Sequence, residues 1–138
     1  MKKLLWALCL VLLLSCSVWA EEGNGVAVDV LAKTSASWNG KALPGYAEGT
    51  PEITILRIKI PAGEQLPLHE HPVINAGVLL RGELTVVTDD NITLHLEAGD
   101  SIVEVVDTWH YGKNEGTVPA EIIVFYAGTV GMPITVKK

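Results

Sequence analysis

The stretch Gly63-Glu-Gln-Leu-Pro-Leu-His-Glu-His71 sets two histidines one residue apart in a chain that has only four. In extended backbone, side chains at i and i+2 leave the same face. His69 and His71 then stand side by side, roughly 6.5–7 Å apart at Cα. Two neutral imidazoles so placed can converge on one divalent ion, at about 2.0–2.1 Å if it is zinc. His95 and His110 are the remaining histidines. His95 sits in Ile92-Thr-Leu-His-Leu96, where the leucines alternate with it, so it belongs to the outer face. His110 sits in Asp107-Thr-Trp-His-Tyr111, after a further turn and strand. In a small antiparallel barrel such a strand can face the first pair across the interior.

Working outward from this stretch, the chain reads as strand after strand. Segments Ile53–Ile60, Ala76–Leu80, Leu84–Thr88, Ile92–Leu96, Ile102–Val106 and Ala120–Tyr126 are apolar or alternating. Arg81-Gly82, Asp89-Asp-Asn91, Ala98-Gly-Asp100 and Asn114-Glu-Gly116 separate them with turn residues. A spacing of about 8–12 residues between turns is that of an antiparallel sandwich or barrel. Val26–Leu31 is expected to be a first strand. Lys33–Gly49, rich in Ser, Gly, Pro and Ala, is expected to be an irregular arm whose Trp38 and Tyr46 could cap a barrel end. No segment after the amino terminus offers an amphipathic helix.

The first twenty residues read as a secretory signal peptide. Lys2 and Lys3 precede an apolar run, Leu4–Leu14, that is too short to span a bilayer, and Val18-Trp-Ala20 offers a small-residue cleavage site. Leu13-Leu-Ser-Cys16 offers a competing lipobox, with Cys16 as the lipidated first residue. The expected organisation is a leader over 1–20, a first strand and arm over 21–50, and a barrel over 51–138. The location is periplasmic or secreted, with membrane attachment only if Cys16 is lipidated. Two of the ten basic residues fall in the leader and none of the sixteen acids does, which leaves a mature formal charge of −8. That surface excludes nucleic acid as a partner. Both cysteines, Cys9 and Cys16, lie in the leader, so a chain starting at Glu21 has neither a disulfide nor a thiol nucleophile.

The spacing Gly63-(X)5-His69-X-His71-(X)3-Asn75-(X)6-Gly82 resembles the first motif of the cupin family. Gly99, His110 and Asn114 stand where the second motif has Gly, His and Asn. The resemblance runs from about Glu52 to Tyr126. It implies an all-β fold, an antiparallel double-stranded β-helix (jelly-roll) barrel. It also implies a divalent ion such as Fe, Mn, Zn or Ni, with His69, His71 and His110 as ligands. The family's usual glutamate ligand is absent, because Asn75 stands at its position. Asn75 is carried forward as a weaker candidate ligand or as a hydrogen bonder. The Pro and middle Gly of the second motif are Val105 and Asp107.

A site of three neutral imidazoles leaves the charge of a metal uncompensated and favours an anionic or chelating small molecule. Glu104 shares a strand face with Ile102 and Val106, at a position that cupins normally keep apolar. It is therefore a candidate general base, replacement ligand or partner of His110, against the plainer alternative of a surface residue. Trp109 and Tyr111 should point away from His110, as packing or subunit contacts. The functions that follow are a metal-dependent oxygenase or isomerase, or a non-catalytic small-ligand or metal-sensing module. Cupins often pair through barrel edges, so a homodimer is a further expectation.

Overall fold

The computed structural model describes residues 25–138, so the expected leader, the expected cleavage after Ala20 and the competing lipidation at Cys16 lie outside the described residues. Nine strands follow one another: β1 (Pro51–Ile60), β2 (His69–Glu70), β3 (Ile74–Arg81), β4 (Glu83–Thr88), β5 (Thr93–Glu97), β6 (Ser101–Val103), β7 (His110–Lys113), β8 (Ala120–Thr129) and β9 (Val136–Lys137). They form two antiparallel sheets, ordered β1-β8-β3-β6 and β5-β4-β7-β2-β9. The jelly-roll expectation therefore holds.

Alternation builds the interior. Ala120, Ile122, Val124 and Tyr126 of β8 are buried, and the residues between them are more exposed. The register puts Ile58 beside Ile122 on β1 and Leu79 beside Ile122 on β3, so three strands present one apolar face. Leu84 and Val86 of β4, paired with Leu96 and Leu94 of β5, supply the facing sheet. His95 lies opposite Thr85 on the outer side and hydrogen-bonds its hydroxyl at 3.0 Å, as its alternation with the leucines requires.

Several motif positions have structural work rather than chemistry. Gly82 links β3 to β4 at φ +76°, and a Cβ there would meet the Pro119 carbonyl at 2.8 Å, so only glycine fits. Asn114 is fully buried; its Nδ2 donates to the carbonyls of Ile60 and Val118, and its Oδ1 accepts from Gly116 N–H. Asp107, which stands where the family's second motif has a glycine, sits at φ +47°. Aspartate tolerates that region better than most residues, and its N–H is tied to the His71 carbonyl at 2.9 Å.

Two boundaries differ from expectation. Val26–Leu31 forms no strand: among the described residues it has no ladder partner, and Val26, Val28 and Val30 are 74–82% exposed. Alternating valines make a segment competent for a ladder, but a strand also needs an edge to pair with. The strand expected over Ile102–Val106 ends at Val103, and Glu104, Val105 and Val106 continue as a buried segment outside the ladder, held by Glu104 N–H on the Asn75 carbonyl. The arm behaves unevenly. Trp38 packs against the core and its backbone N–H bonds the Val103 carbonyl at 2.9 Å, whereas Tyr46 is exposed.

Candidate metal centre

The three histidines meet at one end of the barrel. His69 and His110 sit directly opposite each other on β2 and β7, and His71 follows β2 by one residue. Ring centroids are 4.9 Å apart for His69–His71, 4.5 Å for His69–His110 and 5.1 Å for His71–His110. His71 and His110 are buried and His69 is half-buried.

Each ring is oriented by a backbone carbonyl. His69 Nδ1 contacts the Pro67 carbonyl at 2.7 Å, His71 Nδ1 that of Ile134 at 2.7 Å, and His110 Nδ1 that of Thr108 at 2.8 Å. A carbonyl only accepts, so each Nδ1 must carry the proton. Each Nε2 is then left with a lone pair and no proton. Backbone acceptors of this kind fix tautomer and rotamer around metal ions.

The donor set fits a divalent cation. One ligand atom from each histidine lies within 4.8 Å of the others. Tetrahedral bonds of about 2.0–2.1 Å need nitrogens about 3.3 Å apart, a small inward rotation from here. Buried polar atoms without partners are costly, and His110 Nε2 and Glu104 Oε2 are two such atoms, both turned into this space. The cluster can hold a metal ion.

Electrostatics keep the rings neutral. Burial is the main cause that holds His69 and His110 below the usual imidazole range. Burial, with repulsion from the other two rings, pushes His71 down to about 4. Burial pushes Glu104 the other way, up to about 7. The Glu104 carboxyl lies inside the barrel, its Oε2 3.6 Å from His110 Nε2. Alternation along Ile102, Glu104 and Val106 was a usable signal for this. The negative charge that the site lacks at position 75 is thus available from another element.

Asn75 is buried on β3, opposite Tyr126, but does not line the cavity around the histidines. Its Nδ2 donates to the Val73 carbonyl at 3.4 Å and its Oδ1 has no partner. Its backbone carbonyl accepts from Glu104 N–H at 3.1 Å, so the residue at the family's glutamate position helps to hold Glu104. Trp109 and Tyr111 are absent from the cavity lining, as their alternation with His110 implies, and Trp109 meets the Lys138 ammonium at 5.6 Å.

Sequence reasoning missed two contributors. Tyr126 lines the cavity, with its ring 5.3 Å from that of His71; burial and the nearby Glu104 carboxylate push its phenol up to about 12. Its inward direction was readable from Ile122 and Val124, four and two residues before it. The other is the tail, whose Ile134 carbonyl and Thr135 hydroxyl orient His71. A backbone acceptor sixty-three positions away leaves no signature in side-chain identity.

A cupin-domain family model matches residues 56–126, about half of the chain. Among solved structures, an uncharacterised Klebsiella pneumoniae protein with a double-stranded β-helix domain superposes with a TM-score of 0.56 at 18% identity, over 81% of this chain and 96% of that one. The DMSP lyase DddQ of Ruegeria pomeroyi gives 0.55 at 21% identity, over 62% of this chain and 43% of that one. A Lactobacillus farciminis oxalate decarboxylase in a formate complex gives 0.54 at 22% identity, over 62% and 26%. The chain thus spans under half of either enzyme, and these likenesses describe the fold. No curated protein matches the chain.

Proposed function

This chain belongs to the cupin family, and from that premise we propose that it is an exported metal-dependent enzyme acting on a small molecule. The observation that carries the proposal is the clustering of three histidine ligand atoms within 4.8 Å of one another, with a backbone carbonyl holding each Nδ1. His69, His71 and His110 would hold a divalent ion such as Fe, Mn, Zn or Ni, a choice consistent with imidazole and carboxylate donors. Bound there, the ion supplies Lewis acidity or one-electron chemistry.

The chain's own residues supply the rest. Among the described residues Glu104 is the one carboxylate lining the cluster, and its raised proton affinity suits a group that takes and returns a proton near neutral pH. The same carboxylate is placed to complete the ligand set beside His110, in place of the glutamate missing at position 75. Asn75 positions the Glu104 backbone, its own side chain lying outside the cavity around the histidines. The supported reactions are oxygenation, isomerisation or elimination on a small anionic or chelating molecule. Export through the 1–20 leader, or anchoring at Cys16, and a homodimer belong to the same proposal. Amino-terminal sequencing and sedimentation velocity check them.

A second reading, a module that binds without turnover, is favoured by the narrowness of the cavity, about 40 Å³. Metal analysis of untagged protein, joined to oxygen-uptake measurements, separates the two. Iron or manganese with substrate-dependent oxygen uptake supports the oxygenase. Stoichiometric zinc without turnover of any small acid supports the binding module.

A further inference from the structure

The walls around the histidines restrict what can enter. Apart from the three rings, Glu104 and Tyr126, every side chain that lines the cavity among the described residues is hydrocarbon. Its buried walls are Ile60, Leu84, Val86, Ile122 and Val124. Ile58 and Leu66, both half-buried, add further hydrocarbon to the lining. No Lys, Arg, Ser, Thr, Asn or Gln side chain contributes to it. The volume, about 40 Å³, is far below the roughly 300–1,000 Å³ of ordinary ligand pockets.

These walls narrow the substrate class, resting on the metal reading above. We infer that the site takes a short monocarboxylate, of about two to four carbons, and rejects dicarboxylates and longer chains. One anionic head can meet the metal and the polar cluster. The remaining methyl and methylene groups then lie against Ile60, Leu84, Val86, Ile122 and Val124, each buried CH₂ raising affinity about fourfold. A second carboxylate has no partner. It would lose its hydration among aliphatic side chains and lie near Glu104, a carboxylate itself. The anionic expectation from the sequence is thereby narrowed to a single charge, and chelation through two carboxylates is disfavoured.

The experiment uses the full mature chain loaded with Co²⁺, whose visible absorption reports ligands without requiring turnover. Acetate, butanoate, hexanoate and succinate are titrated separately. Butanoate and succinate differ only by a terminal methyl in place of a carboxylate. Butanoate should perturb the cobalt bands with an affinity at least about tenfold above that of succinate and above that of hexanoate. Val86→Ala should admit hexanoate, and the wild-type series stands by itself if that variant does not fold. Succinate binding as well as butanoate, hexanoate equal to butanoate, or no response to any monocarboxylate overturns the inference and leaves the metal site standing. Failure of the protein to take up cobalt overturns the metal reading and the inference with it.

Discussion

Glu104→Gln should stabilise the metal-free protein at pH 8 and weaken its hold on metal, two effects of opposite sign from one substitution. Burial raises the Glu104 carboxyl from 4.5 to about 7. Between those values the unfolded chain has lost this proton and the folded chain has kept it. The unfolded state then binds fewer protons, so stability falls as pH rises through that window. The contribution is fully present below 4.5 and gone above about 7, a loss of about 3 kcal/mol. His71, lowered from 6.5 to about 4, acts in the opposite sense: its contribution is present above 6.5 and is lost as pH falls toward 4. Both proteins share His71, so the difference between their profiles isolates Glu104. The amide that replaces the carboxyl can also donate to His110 Nε2, which has no partner. The assay is urea denaturation in EDTA at pH 5, 6, 7 and 8. The advantage of the variant should grow from about 1 kcal/mol at pH 5 to about 3 kcal/mol at pH 8. Parallel profiles, or a variant less stable than wild type at pH 8, would refute the placement of Glu104 in the barrel.

Other outcomes follow from the same structure. Metal affinity in the wild type should fall about tenfold per pH unit between 7 and 5, because binding displaces the Glu104 proton, whereas Glu104→Gln should show a shallower slope there. Competition with a fluorescent chelator reads both slopes. Asn114→Ala removes the partners of two carbonyls and one N–H in a fully buried position. It should cost about 3 kcal/mol in urea denaturation with metal stoichiometry unchanged. Gly82→Ala forces a Cβ to 2.8 Å from the Pro119 carbonyl at φ +76°. It should destabilise by about 2 kcal/mol or more and lower the melting temperature. Substituting Asp107, held at φ +47°, with glycine should be neutral or stabilising in the same assay.

The sequence spoke most clearly where geometry is periodic. Alternation along Leu56–Ile60, Leu84–Thr88 and Ala120–Tyr126 marks strands because the pleat has a period of two, and those strands form the barrel walls. The histidine cluster was legible for the same reason: His69-X-His71 puts two rings on one face, and motif spacing places His110 opposite. The short strands β2, β7 and β9 were not legible. Two to four residues carry no period, and their pairing depends on partners far along the chain. Val26–Leu31 misled because alternation reports what a segment could pair with, not whether an edge lies in reach. The Ile134 carbonyl behind His71 was invisible, since any residue presents the same acceptor. The charge of the site needed both sources: Asn75 announced a missing carboxylate, and only the fold brings Glu104 within 3.6 Å of His110.

The claim that His69, His71 and His110 form one metal centre is tested most directly by metal content per chain. Untagged wild-type protein, His71→Ala and His110→Ala are each loaded with Zn²⁺, dialysed against a weak chelator and analysed by plasma emission. The wild type should retain about one ion per chain, as one cluster of three donors implies. Both variants should retain little or none. Equal content in all three proteins, or a wild type that dialyses free of metal, would contradict the account.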